Sequence, residues 1–227
     1  MNKMIEFPNR EALDAALAVH IASLLHADLE QRGRASLAVS GGSTPKGMFT
    51  QLAAQELDWS KVAVTLVDER WVDTNSPDSN ERLLRETLLQ GPASSARFYG
   101  LTTRHNDAEE ALAEVTARLQ NIAMPFTCVV LGMGGDGHTA SWFPLAGNLA
   151  ELLDRNGEAL LACSDPGTAP HQRITLTLPP VIQAGAIILH ITGDEKRQVL
   201  AQAAARKYPV ASITEQENLP TTTWWAP

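Results

Sequence analysis

The chain has 227 residues, 44% hydrophobic and 19% charged, a globular balance with enough apolar material for a sizeable core. Its formal net charge of -8 disfavours broad attraction to DNA, RNA or an anionic membrane, so neither nucleic acid nor a membrane is an expected partner. No run approaches the ~20 consecutive apolar residues of a membrane span, and the N-terminus has no apolar leader core. The two cysteines lack Cys-x-x-Cys spacing, so a cytoplasmic protein without a disulfide framework or zinc ribbon is expected.

Leu13, Leu17, Ile21, Leu24, Leu25 and Leu29 recur at helical spacing and predict a helix over residues 10–32. Ser36 to Ser40 reads as a short buried strand broken by Gly41-Gly42. Pro45 then suits an early helix position after a Ser43 or Thr44 cap. Val62 to Val67 is a second strand, running into Asp68-Glu69-Arg70. Pro77 to Asn80 introduces a helix with Leu83, Leu84, Leu88 and Leu89, and residues 107–121 predict another. Phe126 to Leu131 is a continuous apolar strand that enters Gly132-Met-Gly-Gly-Asp-Gly-His138. Leu160 to Cys163, Ile174 to Leu178 and Ala186 to Ile191 are further strands. The last leads through Gly193-Asp-Glu-Lys196 into an Ala-rich helix ending near Arg206. Trp224-Trp225 is either a packed tail or an interface patch.

Apolar strands alternating with helices predict a single α/β domain over 1–227. It has a mostly parallel Rossmann-like sheet flanked by helices on both faces, with small additional strands. In such sheets ligands sit beyond the carboxyl ends of the strands. The unusual clusters, 40–44, 68–70, 132–138 and 193–196, all fall there.

Gly41 and Gly42 let the backbone turn tightly beside a ligand, and Ser43, Thr44 and free helix amides can donate to phosphate. An ordinary βα turn with a hydroxyl cap explains the same residues. Asp68-Glu69-Arg70 is either a charged surface loop or a site in which Arg70 stabilises an oxyanion and Asp68 orients water or a hydroxyl. Gly132 to Gly137 satisfies Gly-x-Gly-x-x-Gly, but at the wrong βα junction for a dinucleotide fold and without a ribose-binding acid. What that pattern leaves unexplained is His138 on a glycine loop, where an ordinary imidazole suits proton transfer near neutral pH. Arg173 and Lys196 are singly solvated cations; with the Ser43-Thr44 loop they would make a phosphate clamp. The other histidines have no metal-ligand spacing, so no catalytic metal is expected.

Together these blocks resemble the 6-phosphogluconolactonase family, within the larger group that includes glucosamine-6-phosphate deaminase. The matching stretches are Leu37 to Lys46, Val67 to Arg70 with Asp78-Ser-Asn80, Leu131 to Ser141 with Phe143-Pro144, Arg173 to Thr177, and Gly193 to Lys196. They stand in the family's order and span roughly residues 10–206. The resemblance implies hydrolysis of 6-phospho-D-glucono-1,5-lactone to 6-phosphogluconate, the second step of the oxidative pentose phosphate route, with no cofactor. By position it makes His138 the catalytic histidine, Arg70 its partner, and Ser43, Thr44, Arg173 and Lys196 phosphate contacts. Deaminases carry a Glu five positions beyond the His; here that position is Phe143. The chain departs from the family in its tail, Ile213 to Pro227.

The expected reaction is acyl transfer to water. His138 takes the proton, and Asp136 or Asp68 holds its tautomer. Ser141 lacks a Gly-x-Ser-x-Gly elbow and is not expected to be a nucleophile. A sugar-phosphate deaminase or isomerase, a non-catalytic sugar-phosphate sensor and a dinucleotide-dependent oxidoreductase are the alternatives. The sequence leaves a monomer and a small homo-oligomer open.

Overall fold

The structure, a computed structural model, describes residues 3–167, 169–216 and 221–227. The chain begins with β1 (Lys3–Glu6), α1 (Arg10–Arg32), β2 (Ala35–Val39), α2 (Lys46–Ala53), β3 (Val62–Leu66) and β4 (Asp68–Arg70). It continues through α3 (Asn80–Thr87), β5 (Arg97–Tyr99), α4 (Ala108–Leu119), β6 (Cys128–Leu131) and α5 (Leu149–Leu152). Then come β7 (Leu161–Ser164), β8 (Arg173–Leu176), α6 (Leu178–Ile182) and β9 (Ile187–Thr192). The last elements are α7 (Asp194–Ala201), α8 (Ala203–Arg206), α9 (Ala211–Thr214) and β10 (Thr222–Ala226).

Helix α1 shows why the sequence folds as it does. The Asn9 side chain accepts from the Ala12 amide at 2.9 Å, and Gly33 ends the helix in a left-handed conformation. Leu13, Leu17, Ile21 and Leu25 form one wholly buried stripe against the sheet. Burying a leucine fully contributes about 1.5–3 kcal/mol. The helix has the length and hydropathy of a membrane span, yet this stripe gives it the role of a core helix.

The main sheet has the order β1-β10-β9-β6-β2-β3-β5, and every neighbouring pair is parallel. From β2 the chain moves outward to β3 and β5, then returns to β6 on the other side and moves outward to β9 and β10. The order therefore reverses between β2 and β6, which opens a crevice beyond their carboxyl ends. The loops leaving these two strands are residues 40–45 and 132–138.

Two expectations need correction, and two points left open by the sequence are resolved. The strands at 160–163 and 174–178 are not in the parallel sheet. They form, with β4, a separate antiparallel sheet of order β4-β8-β7, because Asp68 to Arg70 pair with Arg173 to Thr175. Neither Ser43 nor Thr44 caps α2; the cap position is Pro45, without a side-chain bond, and the Asp14 carboxylate from α1 takes the Met48 amide instead. Both hydroxyls are thereby left to the crevice. The helix ending near Arg206 is broken at Gln202 into α7 and α8. Finally, Trp224 and Trp225 are a packed tail, since β10 runs between β1 and β9 and Trp224 stacks on Phe7 at 5.3 Å. Within the atypical stretch 213–223, residues 217–220 lie outside the described ones.

Candidate active site

The crevice between β2 and β6 is a cleft of about 290 Å³. Of the residues singled out in the sequence, it gathers Gly41, Gly42, Ser43, Thr44, Asp68, Arg70, His138 and Lys196. The two loops are tied at their roots. Ser40 N–H donates to the Val130 carbonyl at 2.9 Å, and Gly132 N–H to Ser40 Oγ at 3.2 Å.

Asp136 is exposed and not part of the cleft lining, and it is the carboxylate that contacts His138. Oδ1 lies 2.6 Å from Nδ1 and accepts the His138 amide at 3.1 Å. With Nδ1 donating to Asp136, the lone pair sits on Nε2. The ring packs on Phe143, centroids 4.3 Å apart. Its Nδ1–Cε1 edge fills the space beside Gly134, where an added Cβ would stand 2.2 Å from either atom. Gly134 is thus a glycine because the imidazole needs the room.

Asp68 has a different partner. Its Oδ2 accepts the hydroxyl of Ser141 at 2.5 Å, and Ser141 is wholly buried. Next to it, Glu69 is buried and accepts from the amides of Arg70, Asn80 and Glu81 and from the Ser79 hydroxyl. Burial pushes its carboxyl above the ordinary range, and the three amides act against that shift. The charged triplet is therefore a strand locked to the start of α3, not a surface loop. The lock sets Arg70, whose Nη1 donates to the Asp78 carbonyl at 2.6 Å.

Arg173 is not brought to the cleft. It is 5% exposed, donates to the carbonyls of Pro170 and His171 at 2.8 and 3.1 Å, and holds its guanidinium 5.9 Å from the Phe143 ring. Burial lowers its basicity, while Asp68 raises it. Lys196 lines the cleft and lies close to Gly135.

Asn80 and His190 are among the lining residues not assigned from sequence. Asn80 was quoted only as part of a motif; its Nδ2 donates to the Asp68 carbonyl at 2.9 Å and its buried amide faces the 40–45 loop. His190, on β9, is 2% exposed, with Nε2 3.6 Å from Asp14 Oδ1. Burial pushes its imidazole down to about 4. The one signal for it was a polar residue inside the apolar run Ile187-Ile-Leu-His-Ile191. Among the described residues no cluster of His, Cys, Asp or Glu could hold a metal ion.

Residues 8–225 match the family described as glucosamine-6-phosphate isomerases/6-phosphogluconolactonase. The 6-phosphogluconolactonase of Mesorhizobium japonicum is 44% identical over 97% of this chain and 94% of its own. That of Rhizobium meliloti is 43% identical, with 97% of both covered. The crystal structure of a 6-phosphogluconolactonase from Shewanella baltica superposes with a TM-score of 0.97 at 41% identity, covering 100% of this chain and 98% of the other. A monomeric glucosamine-6-phosphate deaminase shares the fold, with a TM-score of 0.77 at 16% identity.

Proposed function

This chain belongs to the glucosamine-6-phosphate isomerase/6-phosphogluconolactonase family, as an enzyme of the lactonase kind, and we propose that its cleft opens 6-phospho-D-glucono-1,5-lactone with His138 as general base. The observation that carries this reading is the short Asp136–His138 contact on a loop that opens into the same cleft as Ser43, Thr44 and Lys196.

The phosphate is held by Ser43, Thr44 and Lys196, with the amides around Gly41 and Gly42 able to donate beside them. Arg173 would have to leave two backbone carbonyls to join them, so its part is to support Phe143 and the 170–171 turn. Anchoring the phosphate fixes the lactone carbonyl near His138, and such positioning can supply several kcal/mol of barrier lowering. Neutral His138 accepts a proton from water at Nε2 as the oxygen adds to C1. Asp136 stabilises the imidazolium that forms. Arg70 faces the tetrahedral oxyanion; a preorganised donor of this kind is typically worth about 3 kcal/mol. The imidazolium then returns its proton to the ring oxygen as the C1–O bond breaks, giving 6-phosphogluconate. No cofactor enters the sequence of steps.

What supports lactone opening over deamination is Phe143. It occupies the position of the deaminases' ring-opening acid and lays an apolar face on the imidazole. The experiment generates the lactone in situ from glucose 6-phosphate and follows hydrolysis against the spontaneous rate. Ammonia release from glucosamine 6-phosphate is measured alongside, and that activity without lactone hydrolysis would reverse the assignment. Tight 6-phosphogluconate binding with neither activity would make the protein a sensor.

A further inference from the structure

The loop that carries His138 is held from outside by Tyr208 and Val210, which do not line the cleft. Gly137, directly before the histidine, has a φ of +79°. A Cβ added there would stand 2.4 Å from Cγ of Tyr208 and 2.5 Å from its Cβ. Tyr208 thus rests on the loop at the point where only glycine leaves room. Two residues on, the Val210 amide donates to the Gly137 carbonyl at 3.1 Å. Within the loop, Gly134 N–H donates to the His138 carbonyl at 2.9 Å and Gly137 N–H to the Gly134 carbonyl at 3.1 Å. The loop is closed on itself, and Gly137 is where the rest of the fold takes hold of it.

The backbone reaches this point by a turn that a side chain disfavours. Helix α8 ends at Lys207, which is left-handed with a φ of +54°, and the Tyr208 amide returns to the Ala203 carbonyl at 2.9 Å. Beyond the turn Val210 and Ile213 are fully buried, so the segment is anchored in the core. Lys196 lies on α7, upstream in the same segment. One stretch, residues 194–210, therefore carries both the cleft's lysine and the contact on Gly137.

We propose that Tyr208 is a positioning residue for His138. Its ring on Gly137, with the Val210 amide, holds the glycine loop so that Asp136 and the imidazole keep their short contact. This rests on the reading of His138 as the base. The ring carries the effect, since among the described residues the hydroxyl reaches only the Arg206 guanidinium, at 3.4 Å and exposed.

The test compares Tyr208→Phe and Tyr208→Ala with the wild type in kcat, KM and the proton NMR signal of the His138 Nδ1–H. Tyr208→Phe is expected to match the wild type within about twofold. Tyr208→Ala should lose about tenfold or more in kcat with KM nearly unchanged, because a misplaced base costs rate rather than binding. Its Nδ1 proton signal should broaden or vanish. Should Tyr208→Ala fail to fold, Tyr208→Leu keeps the apolar bulk and carries the same expectations. A kcat and an Nδ1 signal unchanged by removal of the ring would overturn the proposal, as would an equal loss in Tyr208→Phe. The NMR signal needs no substrate, so it decides the matter even if the wild type proves not to hydrolyse the lactone.

Discussion

Nδ1 of His138 and Oδ1 of Asp136 lie 2.6 Å apart on one glycine loop, while Asp68, the other carboxylate at the site, is engaged by Ser141. The two acids thus have separate tasks. In the proposed mechanism Asp136 sets the tautomer of the base, whereas Asp68 joins the small antiparallel sheet to the buried Ser141.

Asp136→Asn should preserve the fold and lower kcat by about 10²–10⁴-fold with little change in KM. An amide in place of the carboxylate neither stabilises the imidazolium nor fixes the tautomer. Asp68→Asn should cost less in kcat and more in thermal stability, because it leaves the Ser141 hydroxyl with a weaker acceptor. Steady-state kinetics with the spontaneous rate subtracted, beside a melting curve for each variant, make the comparison.

Gly134→Ala is expected to inactivate about as fully as loss of the histidine. The new Cβ would require the space of the imidazole edge, so the ring must move off the cleft while the strands behind it stay in place. Circular dichroism and melting temperature close to wild type, with kcat near background, is the expected pair of results.

Lys196→Ala and Arg173→Ala should separate cleanly. The first removes a cation from the cleft and should raise KM for the phosphorylated lactone by about tenfold or more, with kcat largely kept. The second removes a buried group that satisfies two carbonyls and packs on Phe143, so its main effect should be a fall of about 1–3 kcal/mol in stability. Urea denaturation and product titration distinguish the two.

Much of this arrangement was legible in the sequence, for a physical reason. Strands buried on both faces read as apolar runs, and chemistry in such sheets collects at the following loops, so residues 40–44 and 132–138 stood out without coordinates. The rest depends on pairing between distant segments. Lys3 to Glu6 is too short and too polar to announce a strand; it is one because β10 lies beside it. Asp68 to Arg70 reads as a loop until Arg173 to Thr175 supply its hydrogen bonds. The α2 cap was misassigned because the acceptor comes from Asp14, on another helix. Arg173 matched its motif, yet its contacts with Pro170, His171 and Phe143 could be seen only once the loop was folded. Tyr208 has no local signal at all.

His190 gives the protein a predictable acid sensitivity. Burial holds its imidazole at about 4 in the folded state, against an ordinary value of 6.5. Below 6.5 the unfolded chain binds the proton and the folded one does not. The contribution of neutral His190 is therefore complete above that pH and is lost as pH falls towards 4, by about 3 kcal/mol in all. His20, lowered by burial, acts in the same direction, and Asp14, raised by burial, opposes it at the acid end. Melting temperatures measured from pH 7 to 4 should fall for the wild type and fall distinctly less for His190→Leu. Parallel curves would contradict this.

The central claim, that His138 is the general base for lactone opening, is tested most directly by the His138→Ala protein. Its hydrolysis of lactone generated in situ is measured against the spontaneous rate, and its affinity for 6-phosphogluconate is titrated in parallel. The account predicts that catalysed turnover falls to near background while product affinity stays within a few fold of wild type, because the phosphate is held elsewhere in the cleft. Turnover at the wild-type level without the imidazole would contradict it.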